Sequence, residues 1–388
     1  MTGPEPAVEA VIRDLPDLWP SQLLARPPEE RAFPFDRPDL ELCYLGRNAV
    51  HRAVRRLGLE GAGVIAPAYH HGVEIAALLH AGARVRFARV DESMRLDPEH
   101  VASLVGPRTR AIYVIHYAGF PQPLEPFLEL ARRHGLALIE DCALSLFSRD
   151  GDRPLGSTGD AAIFCFYKTL PVSHGGALLV RRAGAVDQAG LGALRPPPLL
   201  PTLSQLGGAL LANLEAQLGA PGRAARGALK SLSSGLRRRA NELAVPVGTQ
   251  HFDPGVVDLG MSALLARLAR AADASRIVQR RRENWSFLHQ RLAGHQRAVW
   301  PRLPEGASPL FYALRVEDKD RVLRALRGRG VKAVDFWRTG HPSAGEAPFP
   351  DVERLRAQVV ELPCHQDLGP DQLERVARAA REAVEDLG

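Results

Sequence analysis

Four features of this chain combine residue types and positions that could do chemistry. Lys168 follows the apolar run AAIFCFY (161–167). An amine at the end of such a run is partly desolvated and more easily deprotonated, which suits a nucleophile that forms an imine. A snorkelling surface lysine would look the same. Asp141 closes the apolar run LALIED. A carboxylate there is costly unless paired, so it either caps a helix or holds a protonated nitrogen. His70, His71 and Gly72 follow GVIAPA (63–68), where a ring could stack on a flat ligand or simply form a polar turn. Gly46, Arg47 and Asn48 open a helical pattern, and free N–H groups at a helix start attract anions. Taken singly, each feature has an ordinary explanation. Together they meet the needs of pyridoxal phosphate: an amine for its aldehyde, a carboxylate for its pyridinium, a ring to stack and a cradle for its phosphate.

The elements around these residues alternate. GVIAPA, RVRFARV, AIYVIHY, LALIEDC, AAIFCFY and ALLVRR have strand length, and between them lie segments with apolar residues at three- and four-residue spacing. That order predicts an α/β fold with a mostly parallel sheet covered by helices. Ligands bind beyond the carboxyl ends of such strands, where the four features lie. Three regions are expected: an N-terminal arm over 1–40, a large domain over 41–260, and a bridging helix with a small α+β domain over 261–388. A Leu-, Ala-, Gly- and Arg-rich stretch near 195–255 reads as a helical insertion. Residues 261–292 read as one long helix.

Composition sets outer bounds. The 388 residues are 45% hydrophobic and 24% charged, which excludes disordered, collagenous and coiled-coil classes. The 50 basic and 44 acidic residues leave +6, too small an excess over this length to indicate a nucleic-acid binder. No apolar run is long enough to span a membrane, and the first residues do not resemble a signal peptide. Cys43, Cys142, Cys165 and Cys364 are scattered singly, which suits a reducing cytoplasm and shows no metal spacing. No metal is expected.

The succession of GRNAV, APAYHHGVEIAALLHAG, VIHYAGFP, IEDCA and the Lys–HGG segment resembles the DegT-type sugar aminotransferases, fold-type-I pyridoxal-phosphate enzymes. GVKAVDFW and VVELPCHQDLGPDQLERV resemble that family's small domain. The resemblance implies a Schiff-base and proton-shuttling role for Lys168, and a pyridine-nitrogen contact for Asp141. It implies ring stacking for His71 and phosphate contacts for Gly46, Arg47, Asn48 and Cys165. His116 would be structural. Three positions depart from the family pattern. Leu144 stands where Gln or His is usual. Cys165 replaces a hydroxyl residue and is a weaker donor. Asp258 occupies the place of an Asn that acts across a dimer interface.

The expected function is transfer of an amino group from an amino-acid donor to a keto group, of a sugar or a related natural-product intermediate, by a homodimer. Pyridoxal-phosphate-dependent elimination, decarboxylation or condensation is the second expectation. A non-catalytic regulatory protein is the third. Arg195, Arg338 and His341 are candidate contacts for a substrate carboxylate or phosphate.

Overall fold

The computed structural model describes residues 11–182, 184–186, 191–218, 222, 249–292, 297–344 and 349–385. Its main sheet contains β1 (Glu41–Cys43), β2 (Gly63–Pro67), β3 (Arg84–Ala88), β4 (Thr109–Ile115), β5 (Ala137–Cys142), β8 (Ala161–Cys165) and β9 (Gly176–Val180). The hairpin β6 (Arg149–Asp150) and β7 (Arg153–Pro154) interrupts the series. The order across the sheet is β1-β9-β8-β5-β4-β2-β3. The run from β3 to β8 is parallel, as expected from the alternation. β9 joins β8 antiparallel, and β1 joins β9 the same way. β2, β5 and β8 are buried along their whole length, which is why they read as continuous apolar runs rather than as alternating patterns.

The helices between these strands follow their sequence signals. After a short α1 (Pro20–Leu24), α2 spans Gly46–Arg56 and ends in two arginines that suit the negative end of its dipole. α3 (Val73–His80) starts after Gly72, whose φ of 110° only glycine takes without strain. α4 (Pro98–Leu104) is capped by Asp97, which accepts from the N–H groups of Glu99 and His100. α5 (Glu125–His134) ends on Gly135 in the left-handed region.

A three-stranded sheet, β10 (Phe311–Arg315), β12 (Val359–Pro363) and β11 (Val334–Asp335), is built from the C-terminal part, with β12 in the centre. The arm is tied to this part, since Ile12 pairs with Val331. The long helix expected over 261–292 is two helices, Ala263–Arg270 and Ala274–Leu292. Asp273 makes the break, because its side chain accepts the Arg276 N–H at 3.0 Å and caps a new helix. In the 195–255 stretch, Leu199–Leu218 is helical, and residues 219–221 and 223–248 lie outside the described residues.

One glycine decides where α2 begins. A Cβ on Gly176, the first residue of β9, would overlap the backbone of Leu45 and Gly46. Its absence lets the start of α2 lie against β9 and, through Gly46, against Cys165. Gly176→Ala is therefore expected to cost about 1–3 kcal/mol of stability, read as a lower urea midpoint at unchanged m-value.

Candidate active site

A cavity of roughly 440 Å³ opens at the carboxyl ends of the parallel strands. Gly46, Arg47, His71, Glu74, Asp141, Cys165 and Lys168 line it, so six of the seven residues singled out in the sequence meet there, together with Glu74. Asp141 and Cys165 stand in the last two residues of β5 and β8, Lys168 and His71 lie just past β8 and β2, and Gly46, Arg47 and Glu74 open α2 and α3.

Asp141 is held at both oxygens. Tyr113 donates its hydroxyl to Oδ2 at 2.5 Å, and the Ala143 N–H donates to Oδ1 at 2.8 Å. Burial raises its pKa, while Tyr113, Ala143 and the Lys168 ammonium pull it back only in part. The carboxylate is thus short of positive charge, and a protonated ring nitrogen would supply it. The Ala143 contact closes a turn and not a helix, so Asp141 is not the helix cap that the sequence allowed, and its carboxylate lines the cavity.

Glu140, next in the chain, faces the other way, because neighbouring residues of a strand point to opposite faces. It accepts the N–H groups of Gly156 (2.8 Å), Thr158 (2.9 Å) and Gly159 (2.5 Å), and contacts His116 Nε2 at 3.1 Å. Burial alone would raise its pKa, but His116 and these donors outweigh it and bring it to about 2. His116 accepts the Gln122 N–H at Nδ1, which leaves its proton on Nε2 for Glu140. It is a structural residue, as expected. Glu140, His116 and Cys142 form a compact buried trio, but the oxygens of Glu140 are already filled by these donors.

His71 lines the cavity, and His70 does not. His70 is fully buried, bonded to the Pro67 carbonyl and to the His341 N–H, and stacked on Phe87. Burial, aided by the charges of Lys168, Arg47 and Arg356, lowers the His71 pKa to about 3, so its ring is neutral and able to lie on a flat cation.

The start of α2 is divided. Gly46 donates its N–H to the Cys165 sulfur, and burial raises that thiol's pKa. Arg47 gives its guanidinium to the carbonyls of Thr249 (2.8 Å) and His251, which fixes Gln250 at the cavity wall. Carbonyls leave its charge uncompensated. Asn48 corrects the expectation of a phosphate contact: its side chain bonds the Val256 carbonyl at 2.5 Å and does not line the cavity. The helix turns about 100° per residue, which carries position 48 away from the face shared by 46 and 47.

Lys168 lies in a turn three residues beyond β8. The turn is clamped from behind. Gln366 donates to the Thr169 carbonyl at 3.0 Å, and Gln366 is itself gripped by the fully buried Arg281 at 2.8 Å. Leu144 lines the cavity and presents no polar group there. Asp258 and Arg195 sit outside the cavity as an exposed bidentate pair (2.5 and 2.8 Å), so neither is free for a substrate. Arg338 lines the cavity but is held by Asp320 and Asp335, and His341 does not line it.

Sequence reasoning missed Glu74, Tyr113, Trp337 and Glu361. Glu74 sits in the first turn of α3, an acidic position that reads as an ordinary helix start. Tyr113 looks like one more aromatic in a buried strand. The other two come from the C-terminal part and carry no local signal.

The chain belongs to the DegT/DnrJ/EryC1/StrS aminotransferase family, whose model matches residues 45–189 and 258–381. The Bacillus subtilis spore coat polysaccharide biosynthesis protein SpsC is 36% identical over 104 residues, 26% of this chain and 27% of that protein. The match therefore spans about a quarter of that relative's length. A UDP-N-acetyl-3-dehydro-alpha-D-glucosamine 3-aminotransferase of Acidithiobacillus ferrooxidans is 24% identical over 352 residues, 88% of this chain and 83% of that protein. The crystal structure of the aminotransferase TlmJ from Streptoalloteichus hindustanus shares the fold, with a TM-score of 0.68 at 23% identity, covering 97% of this chain and 99% of that one.

Glu74 yields a pH-dependent prediction. Burial, reinforced by Asp141, pushes its pKa up to about 7, against its bonds to N–H groups and the Lys168 ammonium. A raised folded pKa means stability that is full below the unfolded value and is lost as pH rises through the folded one. Cofactor-free wild type should lose up to about 3 kcal/mol relative to Glu74→Gln between pH 4.5 and 7.5. Urea titrations of both proteins across that range check it, and a constant difference would refute the assignment.

Proposed function

We propose that the protein is a pyridoxal-phosphate-dependent aminotransferase that moves an amino group from an amino acid to a keto group of a sugar or a related polyhydroxy compound. The observation that carries this reading is the shared cavity of Lys168 and Asp141. Residues of the described cavity fit the cofactor: an undercompensated buried carboxylate, an amine, a neutral ring, and an arginine charge beside a helix start. When bound, pyridoxal phosphate supplies an aldehyde that captures amines and a pyridinium ring that withdraws electrons from the substrate carbon.

The protein's part follows from its residues. Asp141 keeps the ring nitrogen protonated, and Tyr113 holds the Asp141 carboxylate in place. Gly46, Arg47 and Cys165 take the phosphate. His71 covers the ring. Lys168 would hold the cofactor through Nζ and would move the proton at the substrate carbon. Donor and acceptor use the same lysine in turn, so ping-pong kinetics are expected.

The relatives' printed activities support the sugar assignment, since one aminates a UDP-linked 3-dehydro sugar. The regulatory alternative draws on the departures at Leu144 and Asp258; Leu144 does line the cavity, Asp258 is paired with Arg195 outside it, and the presence of Lys168 and Asp141 in one cavity favours catalysis. A homodimer is part of this reading, and exposed Leu199 and Leu203 are apolar surface for it. Cytoplasmic residence is also part of it. The four cysteines are free and buried, and among the described residues no helix is long and apolar enough to cross a membrane.

Purified protein loaded with pyridoxal phosphate should show a visible absorbance band that moves on adding glutamate or glutamine. Lys168→Ala should abolish the native band and lower amino transfer by at least about 10²–10⁴-fold. Loss of the band without loss of transfer would refute the role of Lys168. Products of transfer are read by mass spectrometry as replacement of a carbonyl oxygen by an amine.

A further inference from the structure

Part of the cavity wall comes from the small sheet, and one group there takes no part in the roles above. Glu361 sits in the middle of β12, in register with Ala313 of β10 and Val334 of β11. It lines, from the small sheet, the same cavity as Lys168 and Asp141, and feels the charge of Lys168. Among the described residues, no hydrogen bond or ion pair holds its carboxylate. Burial pushes its pKa up to about 8. The Lys168 ammonium pulls it down most, Lys319 also lowers it, and Asp14 and Asp335 push it up.

The charges nearby are already committed. Lys319 is paired with Asp335, Lys332 with Asp14 at 2.9 Å, and Arg338 with Asp320 at 2.6 Å and with Asp335. Apart from Lys168, which the aminotransferase reading assigns to the cofactor, the cations nearest Glu361 are paired, and Glu361 itself offers an acceptor oxygen. Trp337 adds an apolar face, lining the same wall from the residues that follow β11. An acid group would meet Asp14, Asp335 and Glu361. A ring with hydroxyls on its rim and C–H bonds on its face would satisfy both the carboxylate and the indole.

We propose that Glu361 is the specificity-determining residue for the amino acceptor. It accepts a hydrogen bond from a hydroxyl of an uncharged, polyhydroxylated ring that lies against Trp337, and it disfavours ketones that carry an acid group at that end. This rests on the aminotransferase reading, and the experiment separates the two. The full chain loaded with pyridoxal phosphate is titrated with 1-amino-1-deoxy-scyllo-inositol and, separately, with cyclohexylamine, following the visible band. The same titrations are run on Glu361→Gln and Glu361→Ala, each checked for a native band before amine is added. At pH 9, above the Glu361 pKa, wild type should bind the hydroxylated amine at least about tenfold more tightly than Glu361→Ala, consistent with a hydrogen bond to a charged group, with Glu361→Gln between them. Cyclohexylamine, which offers no such hydroxyl, should bind all three alike. Equal affinity of the hydroxylated amine for wild type and Glu361→Ala overturns the proposal. So does a wild-type band that moves with glutamate but not with the hydroxylated amine. A band that moves with no amine at all, glutamate included, refutes the aminotransferase reading instead.

Discussion

The site depends on a buried carboxylate that is not fully satisfied. Asp141 ends a strand whose every residue is buried, and two donors plus a nearby ammonium do not compensate for its loss of water. Left so, the group costs stability. A cationic heterocycle in the cavity would offset that cost. Lys168 is the other pole. Its turn is braced by Gln366 and the buried Arg281, so the amine is presented from a rigid support rather than from a loose loop.

The two adjacent acids of β5 show how one strand can serve two ends. Glu140 is saturated with donors on one face and becomes a strong anion that knits the Gly156–Gly159 loop to the sheet. Asp141 on the opposite face keeps room for a partner. Chemically the residues differ by one methylene, and the pleat alone assigns them opposite fates. The same logic divides α2, where Gly46 and Arg47 face the cavity and Asn48 is used to hold the turn at Val256.

The cavity wall is completed from far along the chain. The central strand of the small sheet brings Glu361 opposite Lys168, and the residues after β11 bring Trp337. The wall from the large sheet carries Arg47, His71 and Lys168, and that from the small sheet carries Trp337 and Glu361, so the two differ in charge.

Much of the fold was legible because its signals are local. Strand-length apolar runs and helical spacing act within a few residues, and they sufficed for the parallel sheet and for placing Lys168, Asp141, His71 and Gly46 at or near the ends of its strands. Asp273 was also a local signal, overlooked because the apolar spacing continues across it. Fixing Asn48 on Val256, pairing Asp258 with Arg195 and turning Glu361 toward Lys168 were different in kind. Those contacts join residues distant in sequence, and no periodicity encodes them. The order of residue types thus determined which groups stand at the strand ends. Only the closing of the chain on itself decided which neighbours each group meets, because burial and charge, and hence protonation, are set by what packs around a side chain rather than by what precedes it.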